Sequence, residues 1–173
     1  MTATMGQLVD TMIEEPRWEG IDLPALAERA ARATLADQEM DPDAWEISLL
    51  GCDDARIAVL NGDFRGKPAP TNVLSWPAQE LASEEEGGEP WFPEAMIPGQ
   101  PEGLGDIAIS FETCAREAAE AGKPVADHVT HLLVHGVLHL LGYDHIREGD
   151  AALMEKIEVR VLATLGIVNP YED

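Results

Sequence analysis

The sequence predicts an α/β or α+β fold, a single layered domain in which a small sheet of about four strands is covered by about five helices. Short apolar runs of strand length interleave with helical periodicity early in the chain, and helical patterns dominate late. At 173 residues with 45% apolar content, the chain suits one compact core. No internal repeat divides it.

Taken in order, Gln7 to Trp18 has the apolar spacing of a first strand ended by Pro16, and Leu23 to Met40 reads as a helix with Pro24 in its opening turn. Trp45 to Gly51 is a short apolar strand. Asp53 or Asp54 can then cap a helix through Ile57, Leu60 and Asn61, broken by Gly62 and Gly66. Thr71 to Trp76, closed by Pro77, and Gly105 to Ser110 are two further strands. Phe111 to Glu120, Val125 to Leu141 and about Glu148 to Leu165 complete the helices, with Gly122 and Pro124 separating the first two.

Composition narrows the partners. The formal charge of −22 argues against non-specific polyanion binding, which normally needs a basic footprint. It therefore counts against an RNA function unless Arg65, Lys67 and Arg147 gather into a local basic cleft. No apolar stretch is long enough to span a bilayer and Met1 to Asp10 lacks a signal-peptide layout, so the expected location is cytoplasmic. Cys52 and Cys114 form no Cys-x-x-Cys pair and read as reduced, partly buried thiols. Gln79 to Glu102 holds seven glutamates among prolines and glycines and no lysine or arginine, the composition of a solvated loop. Trp91, Phe92, Met96 and Ile97 leave it room for a docking role.

The chemistry concentrates between His131 and His145. His135 and His139 are four residues apart, a helical rotation of about 40° and a rise of about 6 Å, so they share one face and can share a metal. If the helix continued, His145 would point elsewhere; Gly142 supplies the residue type that ends a helix in a left-handed conformation and turns the chain back. Three neutral imidazoles leave the full double charge on one zinc ion and a fourth position open, which is catalytic rather than structural coordination. Hydrolysis is the matching chemistry. His128 reads as a satisfied core or surface residue, and for His131 a ligand, a supporting donor or plain core all stay open.

The spacing matches one group of zinc peptidases, H-E-x-x-H-x-x-G-x-x-H, except that their general-base glutamate is here Gly136. Loss of that base disfavours peptide hydrolysis and favours a substrate polarised by metal and cations, such as a phosphodiester. A third reading, from outside the enzymes, is a binding protein whose zinc only holds the fold.

His135 to His145 match throughout the H-G-x-L-H-L-x-G-Y-D-H signature of the bacterial YbeY endoribonucleases, and the chain resembles that family. Asn61 with Phe64-Arg65-Gly66-Lys67, and Pro70 to Pro77, are similar to the family's R-G-K and P-T-N-V-L-S-F-P elements, with Trp76 in place of phenylalanine. Leu104-Gly105-Asp106-Ile107 resembles its L-G-D-I strand. The likeness runs from about Asp53 to Leu165, and the acidic stretch is longer than the family's usual connection.

The resemblance implies a mixed sheet with surrounding helices, zinc on His135, His139 and His145, and zinc-dependent cleavage of single-stranded RNA. That cleavage serves 3′-end maturation of small-subunit ribosomal RNA and ribosome quality control. The implied partners are ribosomal RNA and the small ribosomal subunit, with neither DNA nor membrane. Arg65 resembles the family's cleft arginine; its planar fork suits phosphate, and Lys67 could add a nearby point charge. Asp106 and Asp144 are each open to two readings, orienting a histidine ring nitrogen or capping a strand end.

Overall fold

Alternating burial along β1 (Val9–Ile13) and β2 (Trp45–Cys52) marks strands with one covered face, whereas β4 (Glu102–Ser110) is buried on both faces toward its end. The computed structural model, which describes residues 7–93 and 100–171, accordingly places β4 inside the sheet. The strand order is β1-β2-β4-β3, with β1 and β2 parallel, β2 and β4 parallel, and β3 (Val73–Pro77) antiparallel to β4. The expected mixed sheet of four strands is therefore present.

Five α-helices accompany it: α1 (Leu23–Asp37), α2 (Asp54–Arg65), α3 (Phe111–Ala121), α4 (Val125–Leu140) and α5 (Glu148–Thr164). α4 is the central helix, packed against β3 and β4 on one side and against α1, α3 and α5 on the others. Its buried Leu133, Val134, Val137 and Leu138 join Ile107 and Ile109 of β4 in the main core. On the opposite sheet face α2 covers a smaller cluster of Cys52, Ile57, Leu74 and Ala108. Both cysteines are free and buried; burial pushes the Cys52 thiol up to about 12 and raises that of Cys114 as well. No helix among the described residues is long and apolar enough to cross a membrane.

Several boundaries differ from the sequence reading. The first strand stops at Ile13, because Pro16 opens a 3₁₀ turn (Pro16–Ile21) capped by the Glu15 carboxylate on the Arg17 amide. α1 ends early, with Glu39 in the left-handed region at φ 57° and the Met40 amide returning to the Leu35 carbonyl. α2 runs through Gly62, which Pro68 overlies so closely that an added Cβ would lie 3.1 Å from its Cβ. It ends on Gly66, at φ 70°. β4 starts at Glu102, since Gly103 and Gly105 oppose consecutive residues Glu46 and Ile47 and leave Leu104 as a bulge.

The acidic stretch is docked rather than simply solvated. Arg147 donates to the Ser83 and Glu84 carbonyls, the Gly149 amide donates to Glu86, and the Gly87 amide donates to Asp150. Leu81 is buried, and its carbonyl accepts from the Trp91 amide at 2.7 Å. Trp91 and Phe92 remain exposed, while Met96 and Ile97 lie outside the described residues.

Candidate metal centre

α4 ends where the sequence requires it to end. The Gly142 amide returns to the His139 carbonyl and the Tyr143 amide to the Leu138 carbonyl, with Gly142 at φ 101°. Tyr143 then anchors the reversed chain, its ring buried and its hydroxyl donating to Gln38 at 2.6 Å. The turn returns His145 to the face that His135 and His139 present. One ring nitrogen from each of the three lies within 4.8 Å of the others, and these histidines can together hold a metal ion. The His135 and His139 Nε2 atoms are 3.1 Å apart, close to the roughly 3.3 Å edge of a tetrahedron with metal–nitrogen bonds of about 2.0 to 2.1 Å.

Protonation favours metal binding. Burial, then the neighbouring His135 and His145, lower His139 to about 4, so its ring is neutral near pH 7 and its lone pair is available. Behind His135 stands Glu158 of α5, fully buried, whose Oε2 lies 2.5 Å from His135 Nδ1. Burial pushes that carboxyl up, but hydrogen bonds from His131, His135 and Tyr171 together outweigh it and hold it at about 2. An ionised carboxylate only accepts, so the proton of His135 sits on Nδ1 and its lone pair on Nε2.

The three histidines open into a cleft of about 660 Å³ that Arg65, Asn72, Ser75, His131, Asp144 and Tyr171 also line. Arg65, the last residue of α2, reaches it with a guanidinium that forms no ion pair among the described residues. Arg17, Arg32, Arg56, Arg147 and Arg160 are all paired with carboxylates. The wider basic cleft is not there: neither Lys67 nor Arg147 lines it, because Arg147 is turned toward the acidic loop.

Other residues are redistributed. Asp106 points away from the histidines; strand alternation puts Ile107 on the α4 side and leaves Asp106 exposed on the opposite face, near Met12, Phe64 and Trp76. Asp144 lines the cleft and accepts the His145 amide at 2.7 Å. His131 is a supporting residue, with Nε2 3.0 Å from Glu158 and a contact to the Tyr171 hydroxyl. His128 lies outside the cleft, but it has a partner the sequence did not reveal, Glu117 at 2.9 Å. Glu158 and Tyr171 escaped the sequence reading. The signal for Glu158 was its place in α5 four residues from both Met154 and Leu162, on the buried stripe.

Gly136 also finds a physical reason. It is buried against β4, and an added Cβ would lie 3.2 Å from Ile107 Cδ1. A side chain at that position would leave the helix toward the sheet.

A family model described as Endoribonuclease YbeY matches residues 13–166. Curated relatives of that description include one from Cereibacter sphaeroides, 64% identical over 167 residues and covering 96% of this chain and 100% of the relative. One from Ruegeria pomeroyi is 63% identical over 163 residues, covering 94% and 97%. A more distant one, from Methylocella silvestris, is 46% identical over 172 residues, covering 98% and 88%. A solution structure from Thermotoga maritima shares the fold with a TM-score of 0.54 at 18% identity, covering 96% of this chain and all of that one.

Proposed function

The chain belongs to the YbeY endoribonuclease family, and we propose that it is a zinc-dependent endoribonuclease that cleaves single-stranded RNA. The proposal extends to 3′-end maturation of small-subunit ribosomal RNA and ribosome quality control in the cytoplasm; this part rests on the family resemblance. The observation that carries the chemistry is that the three histidines and Arg65, which joins no ion pair among the described residues, line one cleft.

The donor set fits zinc. Three neutral nitrogens suit an imidazole-binding divalent ion, and the buried Glu158 anion behind His135 calls for positive charge on the far side of that ring. His135, His139 and His145 would hold one ion per chain. When bound, it supplies Lewis-acid polarisation of a phosphoryl oxygen and activation of water.

Arg65 grips the scissile phosphate through its two-pronged donor face and stabilises negative charge as it builds at phosphorus. Lys67, outside the cleft lining, is left to contact RNA flanking it. The peptidase alternative is weakened because Gly136 stands where that chemistry's usual base would be, and an added Cβ there would crowd Ile107 at 3.2 Å.

The test uses purified protein on ribosomal RNA, with chelator and with zinc restored. Cleavage should stop and return, while His139→Ala should neither retain zinc nor cleave. If the wild-type protein shows no zinc-dependent cleavage at any salt concentration, the ribosome-associated binding reading replaces the nuclease.

A further inference from the structure

Among the described residues Glu158 is the only acidic or basic side chain that is fully buried. Its Oε2 accepts from His135 Nδ1; its Oε1 accepts from His131 Nε2 at 3.0 Å and from the Tyr171 hydroxyl. None of these partners is an arginine or lysine, so the carboxylate has no cationic side chain beside it. Three donors satisfy the buried carboxylate, but none of them is a fixed cation that would balance its charge. A cation on the far side of the His135 ring would supply that balance.

We infer that Glu158 is the positioning residue of the metal centre: it fixes His135 with its proton on Nδ1 and its Nε2 toward the metal, and it supplies the buried counter-charge to that ion. The same carboxylate holds His131 and Tyr171 on the cleft wall, tying the segment after α5 to the ligand it orients. The inference rests on the reading that the three histidines hold a metal.

Glu158→Gln is close in size and removes only the charge. If the glutamine oxygen keeps facing His135, the ligand loses its anionic support; if the amide turns around, it donates to Nδ1 and forces the proton onto Nε2, where it blocks the metal. Zinc affinity, measured by competition with a chromophoric chelator, should fall about 10- to 100-fold in either case. The zinc-free variant should melt below wild type, because the three donors that meet an ionised carboxylate would meet a neutral amide instead. With cobalt(II) in place of zinc, the visible absorption bands should shift. Tyr171→Phe removes another donor to the same carboxylate but leaves its charge, and should keep zinc affinity within about threefold of wild type.

A Glu158→Gln protein that binds zinc as tightly as wild type overturns the inference while leaving the metal site standing. So does a Tyr171→Phe protein that loses as much affinity, since that marks a structural hub only. Failure of wild type to bind zinc at all removes the metal reading and this inference with it.

Discussion

Replacing Arg65 with alanine separates substrate chemistry from folding more cleanly than any other change in the cleft. The side chain is exposed at the end of α2 and joins no ion pair among the described residues, so its removal opens no cavity and strands no buried carboxylate. What the fold loses is one favourable charge at a helix C-terminus, about 0.3 to 0.5 kcal/mol for an exposed residue. Melting temperature and zinc content should stay near wild type.

Turnover should not. A guanidinium that meets charge developing at phosphorus contributes about 2 to 4 kcal/mol to the barrier, which places the loss on the order of a hundredfold. Lysine keeps the charge but not the paired donors, so Arg65→Lys should recover only part of that loss. The assay is single-turnover cleavage of a ribosomal RNA fragment at saturating zinc, beside a thermal melt and metal analysis of the same preparations. If Arg65→Ala cleaves at the wild-type rate, the arginine is an exposed helix end and the two-cation account of the cleft is wrong.

Two further outcomes follow from the structure. Deleting Glu84 to Gly99 removes the Glu86–Gly149 and Gly87–Asp150 hydrogen bonds and one of the two Arg147 clamps. At about 0.5 to 1.5 kcal/mol per partly exposed bond, the melting temperature should drop by several degrees with a cooperative transition and full zinc content retained. Loss of cooperativity would place the loop in the core, and an unchanged melting temperature would make the clamp energetically idle. Acid should destabilise the zinc-free protein in two stages. His139 is depressed to about 4 from 6.5, so between those values the unfolded chain binds a proton the folded one refuses, and stability falls as pH drops through that window. Glu158, depressed to about 2 from 4.5, adds a second loss between those values. Urea titrations of chelated protein from about pH 7 down to about pH 4.5 should show a decline on the order of 1 to 3 kcal/mol; a flat profile would refute a neutral, half-buried His139.

The three-histidine cluster was legible because its arrangement is local. Helical spacing puts His135 beside His139, and Gly142 is the residue type that permits the return of His145. Glu158 is 23 residues beyond His135 in sequence and meets it only through the packing of α5 on α4, which spacing does not encode. Of the two readings of Asp106, the histidine-orienting one falls for a reason the strand itself contains: with Ile107 and Ile109 in the core, alternation already sends Asp106 to the other face. Arg147, two residues after His145, shows the opposite failure, since nearness along the chain says nothing about a side chain that turns to the carbonyls of Ser83 and Glu84. Gly62 misled because a glycine reads as a helix breaker until the chain crossing above it, here Pro68, is known.

The seat of Gly136 on Ile107 bears on how this scaffold can change over evolutionary time. Glycine and glutamate codons can differ by one nucleotide, so acquiring the general base of the zinc peptidases looks like a short step. The packing resists it, because the first carbon of the new side chain would lie 3.2 Å from the tip of Ile107, which would have to give by a few tenths of an ångström. A carboxylate left unpaired among these buried side chains would cost further stability in a domain this size. The peptidase base is thus one nucleotide away in sequence, yet reaching it means repacking α4 against β4.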